Sequence, residues 1–150
     1  QGKGVRKGQI DPQEILDIAE SLTQGKSVVI AGHNPVVDGK LPDKSGYVVI
    51  RAAQLAGKHA VVIPVGVDVN WKKGVSTIQI GAPLVFGDRK ALAAGEKIDQ
   101  IYREHISGNL LSDAKRAKVR EARAVIHQTE GARLMHAFAE LLPHERRWNW

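Results

Sequence analysis

Residues 27–67 read SVVIAGHNPVVDGKLPDKSGYVVIRAAQLAGKHAVVIPVGV and contain the two apolar runs on which a prediction of the fold depends. The first run is SVVIA (27–31) and the second is AVVIPVGV (60–67), and both are rich in β-branched residues. The first run does not alternate with polar residues, which is typical of a strand buried on both faces of a parallel sheet, and the second run also predicts a strand. Pro64 interrupts the second run and favours an edge position or a bulge there.

Helices are predicted on both sides of these runs. Asp11 followed by Pro12 is a helix start, apolar residues then recur at helical spacing, and Gly25 ends the pattern. The segment YVVIRAAQL (47–55) begins like a strand, but Gly57 follows it in the position of a helix C-cap, so a helix is predicted. Residues 75–80 (VSTIQI) alternate and predict a strand.

Three further helices are predicted over residues 88–107, 113–128 and 132–142. Together with the apolar runs they indicate an α/β fold: a mixed, mostly parallel sheet flanked by helices, with a helical C-terminal region over residues 88–150. A length of 150 residues suits one domain, so residues 1–150 are expected to form a single α/β unit.

Composition excludes several classes of protein. The chain contains no cysteine, which excludes a disulfide scaffold, a thiolate metal site and a cysteine nucleophile. The longest apolar run has about eight residues, far short of the roughly 20 that span a bilayer. No metal-ligand spacing and no cofactor fingerprint is present, so no metal and no cofactor is expected. The compartment stays open, although a reducing one or a peripheral place at a membrane is compatible with this composition.

The formal net charge is +6, and much of the positive charge lies in residues 1–8 and 115–123. Basic proteins are attracted to nucleic acid, anionic membrane surfaces and phosphorylated substrates. The segment KRAKVREAR (115–123) is interpreted first as a solvated helix face, with contact to lipid headgroups or RNA as the alternatives. Nucleic acid is the less favoured partner, because no RNA-binding motif and no zinc-finger spacing occurs.

A histidine and an aspartate follow the first apolar run at a chemically useful spacing. His33 and Asp38 form a His-x4-Asp pattern directly after the predicted strand. In such a pair the imidazole acts as general base on a hydroxyl, and the carboxylate orients the ring and stabilises its protonated form. The alternative is a loop histidine beside a turn, because Asp38-Gly39 is a strong turn signal without any catalytic role.

The order of motifs resembles the phospholipid and glycerol acyltransferase family. It comprises Arg6 before a helix, SLTQGKSVVI, an Asp-Gly loop, Lys44-Ser45-Gly46, the VVIPV run and an Ile-Gly-Ala-Pro turn, with LLPHER near the C-terminus. The resemblance implies acyl transfer from acyl-CoA or acyl carrier protein to a lysophospholipid or glycerol phosphate. It implies His33 and Asp38 as catalytic residues, and Arg6, Asn34 and Lys44 as substrate-binding residues.

Two departures from the family pattern keep other functions open. The family's phosphate loop reads approximately F-P-E-G-T-R, whereas this chain has AGHNPV at residues 31–36 and lacks both charged groups. The family's own His-x4-Asp motif would lie before residue 1, so a truncated N-terminus is expected. A catalytically inactive structural subunit of a larger complex and a basic RNA-binding protein are therefore the alternatives. Residues 32–35 (GHNP) also resemble a histidine phosphatase motif, but the Arg-His-Gly that such enzymes need is absent.

Overall fold

The computed structural model describes residues 10–30, 43–57, 60–105 and 108–141. Within these residues 59% lie in helices and the strands form one two-stranded sheet. In chain order the elements are α1 (Pro12–Thr23), α2 (Asp43–Ala56), β1 (Val65–Asn70), β2 (Val75–Ile80), α3 (Arg89–Arg103), α4 (Asp113–Ile126), a π-helical turn (His127–Gly131) and α5 (Ala132–Glu140). The helices pack on one another, and the sheet projects from them as a hairpin.

The predicted boundaries of α1 and the predicted end of α2 are confirmed, but α2 begins at Asp43, four residues before the predicted start at Tyr47. The Asp11 side chain accepts a hydrogen bond of 2.9 Å from the Gln13 backbone N–H, and Pro12 occupies the first turn of α1. Gly25 ends that helix with φ 76°, and Gly57 follows α2 with φ 62°. Both values lie in the left-handed region that glycine adopts without a Cβ clash, so each glycine allows its helix to end.

The core lies between α2, α3, α4 and α5. Each of these helices contributes a large side chain that is almost completely buried: Ile50, Ile98, Ile126 and Leu134. Tyr47 from α2 and Phe86 from the segment before α3 join the same cluster. Full burial of one such aliphatic side chain contributes about 1.5–3 kcal/mol, so this contact region dominates the stability of the helical body.

A buried carboxylate fixes the junction between α4 and α5. Glu130 lies in the π-helical turn and is completely buried. It accepts a hydrogen bond of 2.7 Å from the Asp88 backbone N–H and one of 2.5 Å from Arg133 Nη1. The Asp88 side chain in turn caps α3 by accepting from the Ala91 N–H at 2.9 Å. One glutamate therefore ties the start of α3 to the junction of α4 and α5.

The hairpin is antiparallel. Val65 pairs with Ile80, Val67 with Ile78 and Asn70 with Val75. Its turn is closed by the Asn70 side chain, which accepts a hydrogen bond of 3.1 Å from the Lys73 backbone N–H. The prediction of a strand over residues 75–80 is confirmed.

The prediction of a mixed, mostly parallel sheet flanked by helices is wrong. Residues 27–30 form no ladder with any described residue, and Val29 is 93% exposed. Residues 60–64 are joined to residues 81–84 by an isolated antiparallel bridge between Val62 and Leu84 and by a hydrogen bond of 2.8 Å from the Gly81 N–H to the Pro64 carbonyl. Within the described residues both pairings are therefore antiparallel. An unbroken β-branched run signals a strand buried on both faces only where neighbouring strands pair with it, and here such partners are lacking.

Candidate functional site

Most of the predicted site residues lie outside the described residues. This applies to the expected catalytic pair His33 and Asp38, and to Arg6 and Asn34. Lys44 lies in the first turn of α2, where the backbone alone is described. The catalytic role of the histidine and aspartate and the substrate-binding roles of the other three residues therefore stay predictions.

The amino end of α2 follows directly on the segment that contains His33 and Asp38. Lys44-Ser45-Gly46 forms part of its first turn, and Gly46 is already buried. Backbone N–H groups are unpaired within the helix at such an end, and the helix dipole makes it positive. An anionic group held beside residues 43–46 would therefore be stabilised by the helix as well as by the lysine charge.

A cluster of polar side chains anchors the other half of α2. We call Tyr47, Arg51, Gln54, Asp99 and Arg123 the arginine cluster. Arg51 is only 3% exposed; its guanidinium pairs with the Asp99 carboxylate on α3 and donates a hydrogen bond of 3.0 Å to Gln54 Oε1. The Arg123 guanidinium on α4 lies 5.1 Å from the centre of the Tyr47 ring. The cluster therefore ties α2 to α3 and α4.

A glycine on α3 makes room for the buried arginine. A Cβ built on Gly95 would lie 2.6 Å from Arg51 Cζ, closer than real Cβ atoms approach any neighbour. Three buried donor nitrogens of the cluster, Arg51 Nε, Gln54 Nε2 and Arg123 Nε, have no acceptor among the described residues. With two guanidinium groups against the one carboxylate of Asp99, the cluster carries an excess of positive charge.

The cluster also controls the protonation of Tyr47. Burial raises the pKa of the Tyr47 hydroxyl to about 12, although the positive charges of Arg51 and Arg123 act in the opposite direction. The phenol therefore stays neutral at physiological pH. We conclude that the arginine cluster positions α2.

The second notable feature is an uncovered apolar surface on the sheet. The residues at odd positions from Val61 to Val69 are exposed, both in the segment that precedes β1 and in β1 itself, whereas Ala60 and Pro64 are buried. The antiparallel register places Ile78 and Ile80 on the same side as the odd positions. We call this surface the open face; it consists of Val61, Ile63, Val65, Val67, Val69, Ile78 and Ile80.

The opposite side of the sheet is partly covered. Leu141, at the end of α5, lies against Gly66, where an added Cβ would come within 3.2 Å of Leu141 Cβ. Val62 and Leu84 pack against the helical core on this side. The helical body therefore covers one side of the base of the sheet, while the open face points away from it.

The tip of the hairpin combines an aromatic side chain with positive charge. Trp71 is 87% exposed and is followed by Lys72 and Lys73. This arrangement agrees with the sequence pattern, which allows either an exposed turn or an anchor at a membrane interface. It places two lysines at one end of the open face, which itself carries no charged side chain.

The basic segment lies on α4. Arg116, Lys118 and Arg120 are exposed, and Arg116 donates a hydrogen bond of 2.5 Å to the Asp113 carboxylate. A local ion pair on an exposed helix side agrees with the interpretation as a solvated face. Contact with lipid headgroups or RNA stays a prediction.

A shallow groove with a volume of about 500 Å³ lies between α1 and residues 28–30. Its lining combines the apolar side chains of Ile18, Val28 and Val29 with the carboxylates of Asp11, Glu14 and Asp17. Negative charge in this lining repels phosphate groups, so this groove does not suit the anionic acceptors that the resemblance implies.

Neither a metal-binding cluster nor a membrane-spanning helix occurs among the described residues. In residues 10–30, 43–57, 60–105 and 108–141, no group of three or more histidine, aspartate or glutamate side chains is arranged to hold a metal ion. Across the same residues, no helix combines the length and the apolar character required to cross a membrane. No protein-family model, curated protein or solved structure matches the chain.

The sequence contained signals for both features that the predictions missed. Arg51 lies four residues after Tyr47 and three before Gln54, so helical geometry places all three on one side of α2. The odd positions from Val61 to Val69 are all apolar, which already marks one side of a long strand. What the sequence does not show is that this side is left uncovered.

Proposed function

We propose that this chain takes part in acyl transfer from acyl-CoA or acyl carrier protein to a lysophospholipid or a glycerol phosphate. The observation that carries the proposal is the start of α2. There Lys44 lies in the first turn of a helix whose amino end directly follows the segment containing His33 and Asp38. A phosphorylated acceptor is favoured beside such a helix end, because the unpaired N–H groups and the lysine both attract negative charge.

The arginine cluster supports the proposal through the rigidity of α2. Arg51 lies two turns beyond Lys44 and is held by Asp99 on α3. A helix anchored in this way presents its amino end in a fixed direction, which favours binding because little conformational entropy is lost. In this proposal the cluster acts at a distance from the reacting atoms and touches neither substrate.

The chemistry assigned to His33 and Asp38 is general-base catalysis. The His33 imidazole takes the proton from the acceptor hydroxyl as its oxygen attacks the thioester carbonyl. The Asp38 carboxylate stabilises the resulting imidazolium. When the carbon–sulfur bond breaks, the imidazolium returns the proton to the departing thiolate, so that an ester and a free thiol are the products.

An acyl-transfer assay tests the proposal on the purified full chain. Radiolabelled acyl-CoA or acyl carrier protein is incubated with lysophosphatidic acid or glycerol phosphate, and labelled ester is measured. We expect turnover that falls by at least ~100-fold in His33→Ala, because a general base contributes roughly 10²–10⁴-fold. Lys44→Ala should raise KM for the acceptor while leaving most of kcat. His136→Ala is the matched control, because His136 is exposed on α5.

Two outcomes would contradict this function. Absence of turnover with either donor and either acceptor would rule out acyl transfer as the function of this chain. Turnover that is unchanged in His33→Ala would rule out His33 as the general base.

The open face favours a second candidate, a structural subunit of a larger complex without catalysis. An uncovered apolar surface of this kind is typical of a protein–protein contact. Isolation of a stoichiometric complex without acyl transfer supports this candidate, whereas full activity of the free chain contradicts it.

A further inference from the structure

We propose that the open face is the contact surface of a homodimer, in which the sheets of two copies of this chain pack face to face. The surface consists of seven valine and isoleucine side chains, and Ile78 and Ile80 are 67% and 72% exposed. An uncharged surface of β-branched residues is complementary to itself, because neither copy has to bury a charge or an unpaired polar group. The dimer does not depend on the acyl-transfer proposal.

The size of the surface fits a stable contact. The exposed parts of the seven residues amount to roughly 600 Å², most of the ~800 Å² that one partner contributes to a standard interface. The largest apolar patches on typical monomers cover about 300–600 Å² and are often functional, so this surface lies at the upper end of that range. Val67 and Ile78 lie opposite each other in the register, in the middle of the hairpin. They are therefore expected at the centre of the contact.

The charges at the tip select one orientation of the two copies. Trp71, Lys72 and Lys73 lie at one end of the hairpin, so a parallel arrangement would bring four lysines together. A two-fold axis across the strands instead places the two tips at opposite ends of the contact. Like charges are then separated by the length of the hairpin, roughly 20 Å for the six residues of β1 at about 3.3 Å each. The two sheets pack about 10 Å apart.

The backbone of the hairpin favours a second copy over a lipid surface. Among the described residues, each strand of the two-stranded sheet has one edge whose N–H and C=O groups have no ladder partner. If the open face were inserted into hydrocarbon, the N–H and C=O groups of these edges would lose their hydrogen bonds to water without gaining new partners. Each such group would cost several kcal/mol. In a face-to-face dimer the side chains are buried while both edges remain at the solvated rim.

Analytical ultracentrifugation of the full chain tests the dimer. We expect a concentration-dependent monomer–dimer equilibrium for the unmodified protein. The variant Val67→Lys with Ile78→Lys should raise the dissociation constant at least 100-fold, because it places four charges in the contact. The matched control is Thr77→Lys with Gln79→Lys, which adds the same charge to the same sheet on the opposite side and should change the constant less than threefold. Circular dichroism establishes that both variants keep the helical body.

A cross-linking experiment checks the geometry without adding charge. The chain has no native cysteine, so Val67→Cys introduces a single thiol. A short bis-maleimide should join two copies of Val67→Cys and leave Gln79→Cys largely monomeric.

The effect of salt distinguishes dimerisation from binding to an anionic membrane. Each copy carries a net charge of +6, so added salt screens repulsion and should strengthen dimerisation. Binding to vesicles that contain phosphatidylserine would weaken with salt.

Three results would overturn the inference. The first is a monomer at ~100 µM, well above the concentrations at which standard interfaces associate. The second is a dimer that Val67→Lys with Ile78→Lys leaves intact, and the third is salt-weakened vesicle binding by a monomer through the open face.

Discussion

Ile50 in α2 and Ile78 in β2 are the same residue in opposite surroundings. Ile50 is completely buried among the helices, whereas most of Ile78 is exposed on the hairpin. The helical body thus encloses its apolar side chains within this chain, while the hairpin presents them outward. This difference leaves the hairpin, and not the interior of the helical body, with apolar side chains that no described residue covers.

The tripeptide Val-Val-Ile makes the same contrast at three places. It occurs at residues 28–30, 48–50 and 61–63. The first copy is exposed and lies in no helix or strand, the second is helical and mostly buried, and the third lies in a segment whose outward side is open. Intrinsic β-propensity is therefore overridden by what each copy packs against.

The largest predicted effect tests the contrast between Ile50 and Ile78 directly. Ile50→Ala should lower the free energy of unfolding by about 4 kcal/mol, because it leaves a cavity in the core. Ile78→Ala should lower it by less than about 0.5 kcal/mol when the chain is monomeric, as is usual for an exposed site. Urea denaturation of dilute protein measures both. A large loss in Ile78→Ala would show that the monomer already covers the open face.

The next effect concerns charge buried in the helical body. Asp99→Ala leaves the Arg51 guanidinium buried and unpaired and should lower the free energy of unfolding by about 3 kcal/mol. This value is at the low end of the range for buried pairs, because a third of the Asp99 side chain is exposed. Asp113→Ala removes the exposed ion pair with Arg116 and should change the free energy of unfolding by less than about 0.5 kcal/mol. Equal losses in the two variants would contradict the structural role of the arginine cluster.

A smaller effect is expected at Gly95. Alanine normally favours a helix over glycine by about 1 kcal/mol, but here its methyl group overlaps the Arg51 guanidinium. We expect the steric effect to prevail, so that Gly95→Ala lowers the free energy of unfolding by about 2 kcal/mol. Thermal unfolding measures the change. Gly87→Ala is the control, because a Cβ there has no neighbour within 4 Å. A stabilised Gly95→Ala would mean that Arg51 moves aside freely.

The smallest effect depends on pH. The pKa of Tyr47 is raised to about 12 in the folded chain, so the native state keeps a proton that the unfolded state releases near pH 10. The contribution that the protonated Tyr47 hydroxyl makes to the free energy of unfolding is fully present below pH 10 and is lost as the pH rises towards 12. Between pH 9 and pH 11 it should fall by about 1 kcal/mol. The difference between the unmodified chain and Tyr47→Phe isolates it from other titrations, and a constant difference would contradict the raised pKa.

Local signals predicted the elements better than they predicted the sheet. Asp11, Pro12 and Gly25 define α1 through capping and backbone conformation, which depend only on neighbouring residues. Residues 27–30 were expected in a buried parallel strand, but pairing depends on partners distant in sequence. For the same reason the pairing of Arg51 with Asp99, 48 residues away, was not predicted.

Signals between neighbouring residues were enough to predict both ends of α1, the end of α2, the strand over residues 75–80, the excess of positive charge and the absence of thiol chemistry. These properties follow from composition and from contacts within a few residues. The tertiary structure alone decided that α2 is anchored through a buried arginine and that one side of the sheet has no cover within the described residues. Both depend on which distant surfaces meet, and burial of apolar area sets that outcome for the whole chain at once.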